Sequence, residues 1–261
     1  MKRLDGKCAI VLGAAGKDNM GQHIARRFAA EGARVAVAGR QLAPLEAFAA
    51  EVGGVALTCD ITNREEVEAL CENAKAKLGA LDIGVNSTGN GLLKPFLDTT
   101  PEELALMCDL QFKGPYYFCQ ALVRAMDRGG SIIQISSATA TIQLENHAAY
   151  MGTKAGADHV IRCVANEFGA RGIRANSISP GLTQSPMTAG MRAGVLEAFE
   201  ACYPLGRVGT SDDIAAAAVF LASDECFMTG QNLQVNGGLT LRRNPTGAEI
   251  GASVMRFATK Q

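Results

Sequence analysis

The chain has 261 residues, 48% hydrophobic and 20% charged, with 29 glycines and a formal net charge of −1. That length suits one α/β domain, and the apolar content supports a core without metal or disulfide staples. Balanced charge supplies no basic field for nucleic acid or an anionic membrane, and the composition excludes disordered and collagen-like chains.

Taken in order, short β-type runs alternate with longer helical patterns. Lys7 to Gly13 reads as a buried strand, followed by a glycine-rich turn and a helical pattern from Met20 to Glu31. Arg34 to Gly39 and Val55 to Cys59 are the next strands, and a helix from Asn63 to Leu78 leads to the strand Leu81 to Asn86. Pro101 opens a long helix, expected to run to Met126, because its missing N–H costs nothing at a first turn. Gly130 to Ser136 is the fifth strand, Ala148 to Ala170 a long helix, and Ile173 to Ile178 the sixth strand. Asp212 to Ala222 is a helix and Asn232 to Val235 a last short strand. This alternation implies right-handed βαβ units: a single doubly wound, Rossmann-type α/β domain over residues 1–261, its parallel sheet seven-stranded and covered by helices on both faces. Two segments stand outside the rhythm, Thr183 to Arg207 and the tail Leu239 to Gln261.

The eight cysteines never come closer than eleven residues. They offer no zinc spacing, and they suit reduced thiols in apolar runs and a reducing cytosol. His23, His147 and His159 form no ligand pattern, so no metal is expected. The start of the chain lacks the apolar region of a signal peptide, and the longest apolar run, Ile214 to Ala222, is far short of the ~20 residues of a membrane span. A soluble, cytoplasmic protein without membrane or nucleic-acid partners is expected.

Gly13, Gly16 and Gly21 lie between the first strand and first helix, where a tight turn brings backbone close to a pyrophosphate at a helix N-terminus. Tyr150 and Lys154 are four apart and share one helical face. A phenol with an ordinary pKa of ~10 is a poor base, and an ammonium one turn away favours its ionised form, so a lowered phenol pKa is expected. Ser137 precedes the tyrosine by thirteen residues.

Together with Cys59-Asp60-Ile61, Asn86-Ser87-Thr88-Gly89, Ile173-Arg174-Ala175-Asn176, Ser179-Pro180-Gly181, Pro204-Leu205-Gly206-Arg207, Thr229-Gly230-Gln231 and Gly237-Gly238, these residues resemble the short-chain dehydrogenase/reductase family over about residues 5 to 238. The resemblance implies NAD(P)-dependent hydride transfer between a secondary alcohol and a ketone. Tyr150 would be general acid/base, Ser137 would hold the substrate oxygen and Lys154 the nicotinamide ribose. Gly13, Asn19 and Met20 would meet the phosphates, Asp60 and Ile61 the adenine, and Asn86, Pro180, Thr183 and Ser185 would complete the cofactor site. Arg40, at the end of the second strand where NAD-preferring relatives carry an acid, favours NADP(H), because a guanidinium grips a 2′-phosphate; NAD(H) is the alternative.

Two departures stand out. Gly13 to Gly21 spans eight positions against the family's usual six, and this resembles the enoyl-reducing branch. That branch, however, places six residues between Tyr and Lys where this chain has three. Gln111 stands where the family has an Asn that holds a proton-relaying water, so it is a candidate catalytic contributor. The alternatives are an enoyl reductase and a dinucleotide-binding sensor impaired in turnover. Residues 183–207, with Met187, Met191, Val195, Leu196, Phe199 and Tyr203, would cap a hydrophobic cyclic or acyl-chain substrate, or else pack on the core. Residues 239–261 would reach a neighbouring subunit or be disordered. His147 would face the substrate mouth or the surface. By resemblance the long helices pair across two-fold axes in a homodimer or homotetramer.

Overall fold

The computed structural model describes residues 2–186, 188 and 190–259; Met187, one of the capping residues named above, lies outside them. In chain order the elements are β1 Cys8–Leu12, α1 Met20–Ala30, β2 Arg34–Gly39, α2 Leu42–Val52, β3 Val55–Thr58, α3 Arg64–Leu78, β4 Ile83–Asn86 and α4 Pro101–Cys108. A π-turn, Asp109–Lys113, leads into α5 Gly114–Ala125, then β5 Gly130–Ile135, α6 Ala148–Phe168, β6 Ile173–Pro180 and β7 Thr183–Gln184. The chain ends with α7 Val195–Glu200, β8 Gly209–Thr210, α8 Ser211–Ala222, β9 Asn232–Val235 and α9 Gly247–Ala258.

The seven expected strands form one sheet in the order β3-β2-β1-β4-β5-β6-β9, and every pairing in it is parallel. Successive strand residues point to opposite faces. Cys8, Ile10 and Leu12 therefore enter a core shared with α3, α5 and α6, while Ala9 and Val11 enter one shared with α1, α2 and α8. The strand order reverses between β1 and β4, and at such a point the carboxyl ends of the strands open a crevice.

Three differences from the sequence reading have physical causes. The stretch after the second strand, unassigned above, is the helix α2; its Pro44 falls in the first turn, where it breaks no hydrogen bond, and Gly53 closes the far end in the left-handed conformation. The single long helix from Pro101 is instead two helices joined by the π-turn. Pro115 has no N–H for residue 111 and its ring would crowd that carbonyl, so the ladder takes a wider i→i+5 step in which Gly114 N–H bonds the Asp109 carbonyl. The tail is folded within its own chain. Thr246 and Glu249 form a capping box that starts α9, and Ile250 joins a small cluster with Phe199, Tyr203, Val208 and Leu239. Gly194, at φ +91°, lets α9 approach so closely that a Cβ there would lie 2.6 Å from Val254 Cα.

Candidate active site

The glycine turn leaves β1 with Gly13 and Ala14 N–H both bonding the Ala38 carbonyl of β2. Gly13 has φ +101°, and a Cβ on it would lie 2.7 Å from the Ser87 carbonyl carbon, so the turn lies directly against the exit of β4. The longer span to Gly21 is closed by two side chains. Asn19 caps α1 by accepting from Gln22 N–H (3.0 Å) and donates to the Gly13 carbonyl (2.8 Å). Buried Gln22 accepts from Asp18 N–H (2.8 Å) and donates to the Ala14 carbonyl (3.0 Å). The Asn19 amide is thus used inside the loop; Asn19 takes up the Gln22 and His23 N–H groups, leaving, among the described residues, those of Met20 and Gly21 for a phosphate.

The other expected cofactor residues lie at or beyond the carboxyl ends of β2, β3, β4 and β6. Buried Asn86 donates to Gln134 (3.0 Å) and accepts from the Thr88 N–H and hydroxyl (3.0 and 2.7 Å), so its amide shapes the wall of the crevice from within. Asp60 accepts from the Thr62 N–H and hydroxyl; burial works to raise its carboxyl, but those bonds and nearby Arg40 hold it below the ordinary value. Ile61 is buried. Arg40 is exposed just past the end of β2. Pro180 ends β6, the Thr183 hydroxyl donates to the Gly181 carbonyl (3.0 Å), and Ser185 N–H bonds the Thr188 hydroxyl (2.9 Å). A glycine cradle that a Cβ would fill, a helix N-terminus and the switch-point crevice together fit a dinucleotide.

Beside it, the end of β5 meets the first turns of α6. Ser137 accepts from Thr139 N–H (3.1 Å), shares a hydrogen bond with the Thr139 hydroxyl (2.8 Å), and faces Tyr150. The Lys154 ammonium donates to the Ile135 carbonyl (2.9 Å) and sits 5.7 Å from the centre of the Tyr150 ring. The expected lowering of the phenol pKa is not found here. Burial pushes Tyr150 up, with only the facing Ser137 hydroxyl working the other way. Burial also pushes Lys154 down to about 8, against the pull of Asp158. Desolvation of the charged form is the largest influence on each group.

Gln111 projects from the π-turn and is 1% exposed. It donates to the Asn90 carbonyl (3.0 Å), while its Oε1 is buried with no hydrogen-bond partner among the described residues. Gly89 leaves a gap between this oxygen and the lysine: a Cβ there would lie 3.3 Å from Gln111 Oε1 and 3.5 Å from Lys154 Nζ. The structure therefore brings Ser137, Tyr150, Lys154 and Gln111 together.

His147 packs its ring 4.5 Å from that of Tyr150. Burial lowers its pKa, against a hydrogen bond to the Leu92 carbonyl, so the imidazole is neutral at pH 7. Sequence reasoning missed Asp158, a buried carboxylate one turn beyond Lys154; its four-residue spacing from the lysine was the available signal. In the capping segment, Val195, Leu196, Phe199 and Tyr203 are taken up by the cluster they form with the tail. This is the core-packing outcome of the two weighed for them. Among the described residues no helix is long and apolar enough to cross a membrane.

Comparison with known proteins places the chain in a family. A family model described as "Enoyl-(Acyl carrier protein) reductase" matches residues 13–240. The chain is 36% identical to D-threitol dehydrogenase of Mycolicibacterium smegmatis, over 92% of this chain and 95% of that one. It is 35% identical to galactitol 2-dehydrogenase (L-tagatose-forming) of Cereibacter sphaeroides, over 92% and 97%. With 7alpha-hydroxysteroid dehydrogenase of Escherichia coli it shares 35% identity over 90% and 95%. The solved structure of a short-chain type dehydrogenase/reductase from Mycobacterium ulcerans superposes with a TM-score of 0.88 at 32% identity, covering 92% of each chain. The chain belongs to the short-chain dehydrogenase/reductase family of oxidoreductases.

Proposed function

We propose that this protein interconverts a secondary alcohol and its ketone with NADP(H) in preference to NAD(H), Tyr150 acting as general acid/base. The observation that carries the reading is the convergence of Ser137, Tyr150 and Lys154 beside a cradle built for a dinucleotide. When bound, the nicotinamide supplies or accepts the hydride. In the reducing direction Ser137 Oγ–H holds the substrate oxygen and Tyr150 Oη–H gives it a proton. A phenol that burial keeps protonated at neutral pH suits that donor role. The Lys154 charge then faces the phenolate left behind and limits its cost. Gln111 takes part through a water in the gap left by Gly89, between its free oxygen and the lysine. Cofactor preference rests on Arg40, whose exposed guanidinium stands where an acid would repel a 2′-phosphate.

The apolar side chains first read as substrate contacts are used in packing, so support for a hydrophobic substrate narrows to Met191, which is 41% exposed, and the relative named for a hydroxysteroid. Two relatives named for threitol and galactitol favour a polyol, and a polyol is our first reading. Association into a homodimer or homotetramer belongs to the same reading, because Phe112 of the π-turn and Tyr116 of α5 are 37% and 44% exposed on one helical face.

The test is turnover followed by reduced-nicotinamide absorbance, with D-threitol, galactitol and a 7α-hydroxysteroid supplied with either dinucleotide. An enoyl thioester serves as the C=C control. Alcohol turnover that falls about 10²–10⁴-fold in Tyr150→Phe, with an unchanged melting temperature, is the expected result. Reaction with the enoyl thioester alone, or undiminished turnover in Tyr150→Phe, would overturn the assignment. Dinucleotide binding without any turnover would point to the sensor.

A further inference from the structure

Three consecutive residues at the end of β5 each meet one residue on a single stripe of α6. The Ile135 carbonyl accepts from Lys154 Nζ (2.9 Å), the Ser136 hydroxyl donates to Asp158 Oδ2 (2.8 Å), and Ser137 faces Tyr150. Tyr150, Lys154 and Asp158 follow at four-residue intervals, so they stack along one face of the helix. Lys154 is 3% exposed and Asp158 8%. Asn232 of β9 donates to the same carboxylate oxygen at 2.6 Å, and Ser177 of β6 faces the carboxyl group. The second oxygen, Oδ1, is buried with no hydrogen-bond partner among the described residues.

A carboxylate so deep is costly unless it answers a positive charge. The cations acting on it are Lys154, one turn back, and Arg162, one turn on. Burial tends to protonate this carboxyl, and the Ser177 and Ser136 hydroxyls, then the two cations, oppose that. Around Lys154 stand Tyr150 and Asp158 on its own helix, Ile135 from β5, Gln111 from the π-turn and the loop at Gly89. Asp158 is the one carboxylate among the described residues that acts on it.

We infer that Asp158 is a positioning residue of this site: a buried counter-charge that keeps Lys154 an ammonium through neutral pH, so that a cation is in place when Tyr150 gives up its proton. The inference rests on the proposed role of Tyr150 and Lys154, but its test needs no turnover. Without Asp158 the desolvated amine would release its proton nearer neutrality, and the phenolate formed beside it would have no countercharge.

The test labels the lysine ε-carbons with ¹³C in dinucleotide-free protein and follows their chemical shifts with pH. The chain has nine lysines, and the signal of Lys154 is the one lost in Lys154→Met. It is expected to titrate near 8 in the wild type. In Asp158→Asn it should titrate about one pH unit lower, and in Asp158→Glu close to the wild-type value. Asp158→Ser carries the same expectation as Asp158→Asn where the latter does not fold. In the holoenzyme, the alkaline limb of ketone reduction should move down by the same interval. A folded neutral variant whose Lys154 titrates where the wild type does overturns the inference, whatever its activity. A shifted lysine in a protein that turns over no alcohol would leave the inference standing and defeat the functional reading instead.

Discussion

Replacing Asn19 tests how the lengthened glycine loop is held. In Asn19→Ala two bonds disappear, the N-cap to Gln22 N–H (3.0 Å) and the donation to the Gly13 carbonyl (2.8 Å). An N-cap contributes about 1 kcal/mol, and a partly buried neutral hydrogen bond about another. The sum, about 2 kcal/mol, corresponds to a fall in melting temperature of about 4–8 °C for a chain of this size. Asn19→Asp separates the two contributions. The carboxylate keeps the cap and favours the helix N-terminus, but it cannot donate to Gly13 and instead faces its carbonyl and any bound phosphate. The Ala variant should therefore lose stability with a modest loss of dinucleotide affinity. The Asp variant should lose less stability and more affinity, at least tenfold. Thermal melts and a dinucleotide titration by quenching or calorimetry read both. A melting temperature within 1 °C of wild type for Asn19→Ala would show that the loop is held by something other than these two bonds.

Arg40→Asp should move cofactor preference at least tenfold toward NAD(H), as the ratio of kcat/KM values for the two dinucleotides; an unchanged ratio removes Arg40 from the account. Lys154 has a folded-state pKa of about 8 against an ordinary 10.5, so the folded protein holds fewer protons than the unfolded chain between those values, and stability attributable to this group rises with pH across that window. The penalty present below pH 8 is about 3 kcal/mol, at about 1.4 kcal/mol per pH unit. Denaturant unfolding at pH 7.5 and 10 should show it as a gain in wild type relative to Lys154→Met; parallel curves would contradict it. Gly194→Ala combines a left-handed φ of +91° with a Cβ 2.6 Å from Val254 Cα, and should free the tail. Limited proteolysis should then cleave near α9 well before the sheet, with cleavage at the wild-type rate as the opposing result.

The start of the sheet was legible because β1 and β2 are buried almost throughout and read as apolar runs, with glycine marking the first turn, whereas the edge strands β3 and β9 are only partly buried. The pairing of Tyr150 with Lys154 was legible because helical spacing fixes which side chains share a face, whereas Ser137, just past β5, was reached through the family resemblance. Other features depend on contacts that sequence spacing does not record. Pro115 gave a local reason for a break in the long helix, yet the same helix resumes beyond it, so the pattern looked continuous. The apolar residues of 195–203 carried a helical stripe whose partner, the tail, lies some fifty residues further on. The ionisation of Tyr150 was misjudged because charge attraction follows from spacing, whereas desolvation depends on everything packed around the group. The amides of Asn86 and Asn19 also bond Gln134 and the Gly13 carbonyl, contacts visible only once the fold brings those partners near.

The docking of α9 on α7 has a consequence for how the molecule is made. The glycine cradle and the exit of β4 that it packs against come from residues 13–88, whereas the cluster around Phe199 and Tyr203 takes in Leu239 and Ile250, which are synthesised well after them. A nascent chain emerging from the ribosome therefore has its glycine cradle in reach long before α7 and α9 can pack together.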